Sequence, residues 1–211
     1  SALPGSTNEP LTIPEFRDKL RAYKDVDAAV LRRHLVEFLQ KVTPVAEALA
    51  VRLTLHPDDP PRPLFGLARI ASSEEDYSAL FDAVPSEANG ICFCTGSLGV
   101  RAANDLPAMA RRFGPRIAFA HLRATRREAD GSFYESDHLD GDVDMIAVLK
   151  ELLAHDRRRP EGEKIVFRPD HGHRMLDDLA ADKRTNPGYT AIGRLRGLAE
   201  LRGAIRALQH G

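Results

Sequence analysis

Four residues of this chain could share one metal ion: His56, Cys94, His121 and Asp170. Neutral imidazole, thiolate and carboxylate are all competent ligands for a divalent transition ion. Each stands at or just past the carboxyl end of a predicted strand, where barrels and open α/β sheets place their sites. No short metal motif links them. A barrel gathers successive strand ends around one centre, however, so distance in sequence is no obstacle. The mixed nitrogen, sulfur and oxygen set does not name the ion, and an oxygen-rich substrate could complete the shell. Each residue alone has a plainer reading. A cysteine on an apolar strand is usually a small buried hydrophobe, and a histidine at a strand end usually makes a hydrogen bond. Their recurrence at successive strand ends points to a shared site.

The densest polar cluster is Pro169-Asp-His-Gly-His173. With Asp170 as a ligand, His171 is free to act as base or acid. His173 could orient a ligand from behind or simply lie on the surface. Arg123 and Arg168 flank the same rim and could clamp a carboxylate in bidentate fashion or close a rim salt bridge. Asp58 and Asp59 sit in a proline-stiffened loop, where they could hold ligands, bind sugar hydroxyls or form a turn. Tyr189 offers a phenol as acid or base, or packs.

The elements that must position these residues follow from periodicity. Residues 1–14, rich in Pro, Gly, Ser and Thr, read as an arm or loop. Thr12 caps a short helix with Pro14 early and Glu15 at the third position. From Asp27, apolar residues recur at three and four as far as Leu49, and Pro44 should kink or split that helix. Val51–His56, Gly90–Cys94, Arg116–His121 and Lys164–Arg168 read as strands. Helices are expected from Ser73 to Val84, Asp105 to Phe113, Asp142 to Ala154 and Ala191 to Leu208. Thr95–Gly99 reads as a turn and 123–141 as a long polar loop. Four strand–loop–helix units after a leading helix imply α/β architecture with a parallel sheet and right-handed crossovers.

Composition limits the partners. The 211 residues carry 30 Lys+Arg against 31 Asp+Glu, a formal charge of −1, which argues against a nucleic-acid partner. The clusters Arg111-Arg112, Arg126-Arg127, Arg157–Arg159 and Arg184–Arg206 are interleaved with acids and read as solvated faces or subunit contacts. No apolar run is long enough for a membrane helix. No signal peptide is visible, and a leading Ser in place of Met reads as a processed or trimmed start. Cys92 and Cys94 point to one face of a strand but are too close to bridge readily, so a reducing, cytoplasmic compartment is expected. Neither GxGxxG after the first strand nor GxxxxGK[ST] is present, and a nucleotide reading has no motif behind it.

Eight segments carry a resemblance: His56-Pro-Asp-Asp-Pro-Pro61, Phe93-Cys-Thr-Gly-Ser97, Phe113-Gly-Pro-Arg-Ile117, His121-Leu-Arg123, His138-Leu-Asp-Gly-Asp-Val-Asp144, Arg168-Pro-Asp-His-Gly-His173, Thr185-Asn-Pro-Gly-Tyr189 and Ile192-Gly-Arg-Leu-Arg-Gly-Leu198. In this order they resemble the mannonate dehydratases over nearly all of residues 12–208. The resemblance implies a TIM-type (β/α) barrel and dehydration of D-mannonate to 2-keto-3-deoxy-D-gluconate in hexuronate breakdown. It implies Mn2+ (or Fe2+) on residues matching His56, Cys94, His121 and Asp170. His171 and Tyr189 match the family's candidate acid and base, and the resemblance also implies a homo-oligomer, with a dimer as the expectation. Such a barrel takes roughly 250 residues, and this chain offers four of the eight units. Residues 15–211 therefore look like the C-terminal half of the barrel. The competing readings are a sugar isomerase or epimerase of the same barrel group, favoured by a neutral pocket, and an inactive half-barrel that serves only in assembly.

Overall fold

A computed structural model of the chain describes residues 11–180, 186 and 188–210. Residues 1–10 of the expected arm, Arg184 and Thr185 lie outside them. Thr12 opens helix α1 (Ile13–Arg21) through a complete capping box with Glu15, as the sequence predicts. Asp27 caps α2 (Ala28–Ala48), its side chain accepting from the Val30 amide. The expected split at Pro44 does not occur, since α2 runs through it. Leu39, Thr43 and Ala46, on both sides of the proline, are buried together, and the Thr43 hydroxyl donates to the Leu39 carbonyl at 2.8 Å. Packing thus holds the turn that loses the proline's donor.

The strands are β1 (Leu53–Leu55), β2 (Asn89–Cys94), β3 (Ile117–His121), β4 (Ala124–Arg127), β5 (Phe133–Ser136) and β6 (Val166–Arg168). β1, β2, β3 and β6 form one sheet in that order, parallel throughout. Between and after them run α3 (Glu74–Ala83), α4 (Thr95–Gly99), α5 (Leu106–Phe113), α6 (Met145–Asp156), α7 (Leu176–Ala180) and α8 (Ala191–His210). The α/β class and the parallel sheet are as the alternation predicts.

Three local expectations change. The polar loop 123–141 contains the antiparallel hairpin β4–β5. Asp130-Gly131 marks its turn, with Gly131 in the left-handed region at φ 86°, a hairpin signal that outweighs the segment's polarity. The turn at Thr95–Gly99 is instead one helical turn, buried along its length. α6 starts at Met145, because Asp144 supplies the cap to the Ala147 amide; Asp142 is engaged by the Arg127 amide at 2.7 Å.

Strand alternation divides the sheet's two faces. Ile91, Phe93, Ala120 and Leu122 join Tyr77, Met109, Val148, Leu149 and Leu201 from the helices in one apolar core. Burying each such large side chain contributes about 1.5–3 kcal/mol. The alternate residues of β2 and β3, including Cys92, Cys94 and His121, are left for the opposite face. The basic clusters pair locally: Arg111 with Glu151, Arg112 with Glu74 and Arg127 with Asp142. Among the described residues, no helix is long and apolar enough to cross a membrane.

Candidate metal centre and active site

Sheet register assembles the centre. Cys94 stands opposite His121 across β2–β3, and His121 opposite Arg168 across β3–β6. Two residues past β6, Asp170 turns its carboxylate back over this rung. Cys94, His121 and Asp170 are all buried, and their donor atoms lie within 4.8 Å of one another. His121 Nδ1 lies 3.5 Å from Asp170 Oδ1 and has no hydrogen-bond partner. A buried nitrogen left unpaired is costly, and a cation beside it removes the cost. The Cys94 sulfur accepts from the Ser97 amide at 3.4 Å and the Ser97 hydroxyl at 3.2 Å. These residues therefore fit a divalent ion.

His56, the fourth expected ligand, is placed differently. Its ring centroid is 5.0 Å from that of His121, but its donor groups with those of Cys92 and His121 rather than Cys94 and Asp170. Leu55 stands opposite Ile91, so the next residue, His56, comes level with Cys92. The His56 Nδ1–H donates to the Pro57 carbonyl at 2.7 Å, which leaves Nε2 with the free lone pair. Burial, followed by the charges of Cys94 and Asp170, pushes the Cys92 thiol up to about 12.

Arg123 is the charge at the heart of the site, 3% exposed. Its guanidinium reaches Asp59 at 2.9 Å, Asp170 at 3.3 Å and Glu135 at 3.4 Å. Burial works against this cation, but Cys94, Glu135, Asp59 and Asp170 outweigh it and raise its pKa above the usual arginine range. Burial likewise pushes the Asp170 carboxyl up, but His121, His171, Arg123 and Arg168 prevail, holding it below the ordinary carboxylate range. Arg168 donates to Asp170 Oδ1 at 2.7 Å from a half-exposed position. Gly96 makes room for Arg123, because a Cβ there would overlap the arginine side chain. Gly96→Ala is expected to push the guanidinium out of its three-carboxylate nest and cost about 1–3 kcal/mol. A urea midpoint equal to that of the parent would contradict this.

His171 meets three side chains. Its Nδ1–H donates to Glu135 Oε1 at 2.6 Å, and its Nε2 lies 3.1 Å from the Tyr189 hydroxyl and 3.4 Å from Arg123 Nη1. The carboxylate fixes the tautomer, so Nε2 carries the lone pair that accepts from Tyr189. Tyr189 is held there by a bridge between Gly172 and Tyr189 and by the Gly172 amide donating to the Gly188 carbonyl at 2.9 Å. Glu135 is the site residue missed in the sequence. It comes from the unrecognised hairpin, and the signal would have been that turn together with an imidazole in need of a carboxylate.

The Asp170 backbone is left-handed, φ 61°. It is buttressed by His138, whose buried Nε2–H donates to the Pro169 carbonyl at 2.9 Å. His138 in turn lies where a side chain at Gly197 of α8 would be. Two expected site residues are not drawn in. Asp58 Oδ2 accepts from the amides of Ile70 and Ala71, each at 2.8 Å, and the Ser72 hydroxyl at 3.0 Å, which pins the loop after β1. His173 is exposed and lines a cleft with Glu135, Asp137 and Arg196. Asp59 enters the site through Arg123.

A parallel α/β sheet with an apolar helix-packed face and a buried N/S/O donor cluster at its carboxyl edge defines an α/β protein with a candidate metal centre. The family model of D-mannonate dehydratase (UxuA) matches residues 1–211. The chain belongs to the D-mannonate dehydratase family. The mannonate dehydratase of Brucella suis biovar 1 is 68% identical over 209 residues, which cover 99% of this chain and 52% of that protein. The crystal structure of mannonate dehydratase from Streptococcus suis serotype 2 superposes with a TM-score of 0.83 at 32% identity, covering 96% of this chain and 56% of that one. A xylose isomerase-like TIM barrel protein from Mycobacterium smegmatis, solved in complex with magnesium, gives a TM-score of 0.57 at 19% identity, covering 85% of this chain and 53% of that one; this is a likeness of fold. The chain spans about half the length of the curated relatives it matches.

Proposed function

We propose that this chain carries the metal ligands and proton-transfer groups of a D-mannonate dehydratase, which removes water from the sugar acid to give 2-keto-3-deoxy-D-gluconate. The observation that carries this reading is the buried Cys94–His121–Asp170 cluster with its unpartnered imidazole nitrogen, beside the Glu135–His171–Tyr189 chain. Family membership supplies the substrate. We further infer that the four-stranded sheet is half of a TIM-type barrel, its edges β1 and β6 meeting the other half.

Mn2+ or Fe2+, held by Cys94, His121 and Asp170 with His56 close by, would supply Lewis-acid charge to the substrate carboxylate. The chain's own groups do the rest. The substrate's C2 proton is weakly acidic because it adjoins a carboxylate. His171 Nε2, its lone pair fixed by Glu135, takes that proton. Negative charge then grows on the carboxylate, and the half-exposed guanidinium of Arg168 stands at the rim to stabilise it, while the buried Arg123 holds Asp59, Glu135 and Asp170 in place. The C3 hydroxyl leaves as water with a proton from Tyr189, and the resulting enol becomes the 2-keto acid. The half-exposed Arg168 beside Asp170 suits a carboxylate substrate better than the neutral sugar of an isomerase.

Glu135→Gln is expected to lower kcat by about 100-fold with KM little changed, since an amide permits the wrong imidazole tautomer. Equal falls in kcat and in thermal stability for Glu135→Gln and Glu135→Ala would reduce Glu135 to a structural contact. The reading as a whole is tested by following 2-keto-3-deoxygluconate from D-mannonate, with Mn2+ and after chelation. The assay uses this chain and a protein of the relatives' full length. Product that depends on Mn2+ is expected. Product formation unaffected by chelation removes the metal from the proposal. A full-length, Mn2+-loaded protein inert towards D-mannonate removes the substrate.

A further inference from the structure

Two arginines stand two residues apart on α8 and are used differently. Arg196 is bidentate to Asp137, at 3.0 and 2.8 Å, and reaches Glu200 at 2.9 Å. Arg194 is half-buried, and among the described residues no carboxylate pairs with it. Its Nε donates to the Thr190 carbonyl at a long 3.4 Å. Its guanidinium carbon stands over the Tyr189 ring, 5.7 Å from the ring centre.

Backbone packing puts Arg194 there. A Cβ at Gly172 would overlap the Gly193 backbone, and one at Gly193 would overlap the His173 carbonyl. These two glycines let the first turn of α8 lie directly against the loop that carries Asp170 and His171. The Thr190 hydroxyl donates to the His173 carbonyl at 3.1 Å and ties the same contact. Arg194 then lines a cleft of about 280 Å3 with Arg168, Asp170 and the leucines Leu195 and Leu198.

We propose that Arg194 is a substrate-binding residue that grips the carboxylate of a sugar acid together with Arg168, and so selects acids over neutral sugars. This deepens, and rests on, the reading of the site as that of a D-mannonate dehydratase. Charge balance supports it. Two guanidiniums line the cleft against one carboxylate, Asp170, which Arg123 and His121 also approach, at 3.3 and 3.5 Å. A cation held by Asp170 would add to the positive surplus, and an anion in the cleft would balance it. The leucine wall limits screening by water. The fork geometry also fits. Arg168 spends Nη2 on Asp170 at 2.7 Å. Among the described residues nothing accepts from the two terminal nitrogens of Arg194, which match a carboxylate in bidentate fashion. The position over Tyr189 is apt as well. The phenol serves the C3 hydroxyl, two bonds from the carboxylate carbon, so the two groups belong side by side.

The test compares parent, Arg194→Met and Arg194→Lys, each loaded with Mn2+, in the D-mannonate assay described above. Arg194→Met is expected to raise KM by at least about tenfold while kcat stays within about threefold of the parent. Arg194→Lys keeps the charge without the fork and should fall between the two. Mn2+ affinity and the thermal midpoint should be those of the parent in both variants. A fall in kcat with KM unchanged would make Arg194 a prop for Tyr189 and overturn the proposal. So would a KM indifferent to Arg194→Met, or a rise in KM matched by loss of Mn2+ affinity. A parent that neither binds nor turns over D-mannonate marks a different failure: it overturns the underlying reading, and this inference with it.

Discussion

Asp170→Ala is expected to reduce Mn2+ affinity by at least about 100-fold and to bring turnover to background. Loss of groups that merely orient a ligand already costs about 10- to 100-fold, and Asp170 is itself the only oxygen donor in the cluster of Cys94, His121 and Asp170. Its carboxylate also faces Arg123, Arg168, His121 and His171. Alanine would leave those groups repelling one another around the space an ion should take. Asp170→Asn separates the two effects, because it keeps the shape and removes the charge. Isothermal titration with Mn2+ is the check. A parent-like affinity in both variants would mean that the ion, if bound, sits elsewhere.

The largest loss of stability is expected from Arg123→Met. This buried guanidinium holds Asp59, Glu135 and Asp170 within 2.9–3.4 Å. Breaking a buried ion pair by removing one partner costs about 3–5 kcal/mol, because the other charge is left uncompensated. Here three carboxylates lose their common cation, though Arg168 and the nearby histidines remain for Asp170. For a chain of this size the thermal midpoint should fall by about 10 °C. Arg123→Lys restores the charge but not the fork, and an ammonium cannot address three carboxylates placed around a plane. The lysine variant should recover much of the stability and little of the turnover. A lysine variant as active as the parent would show that Arg123 acts only as a structural counter-charge.

The legible parts of this fold are those set by local chemistry. The capping box at Thr12 and Glu15 and the strands ending at Cys94 and His121 all depend on neighbours close in sequence. Three of the four candidate donors, Cys94, His121 and Asp170, come within reach of one another because parallel strands end together. What escaped depends on register and on distant partners. The pairing of His56 with Cys92 follows from Leu55 standing opposite Ile91, a relation periodicity does not encode. Glu135 reaches His171 across 36 residues, from a hairpin whose polar strands hide their alternation. Asp58 has the right chemistry in the right loop, but its oxygen is taken by the amides of Ile70 and Ala71.

The left-handed backbone at Asp170 has an evolutionary consequence. Among side chains, that conformation is comfortable chiefly for glycine, asparagine and aspartate. Of these only aspartate brings a negative charge, so a mutation to glutamate or a β-branched residue meets a backbone penalty before any question of chemistry arises. His138 and Gly197 impose that conformation from a different strand connection and from α8. The proposed oxygen donor is thus specified by three distant stretches of chain acting together, and a lineage exchanging it for glutamate would have to rebuild all three.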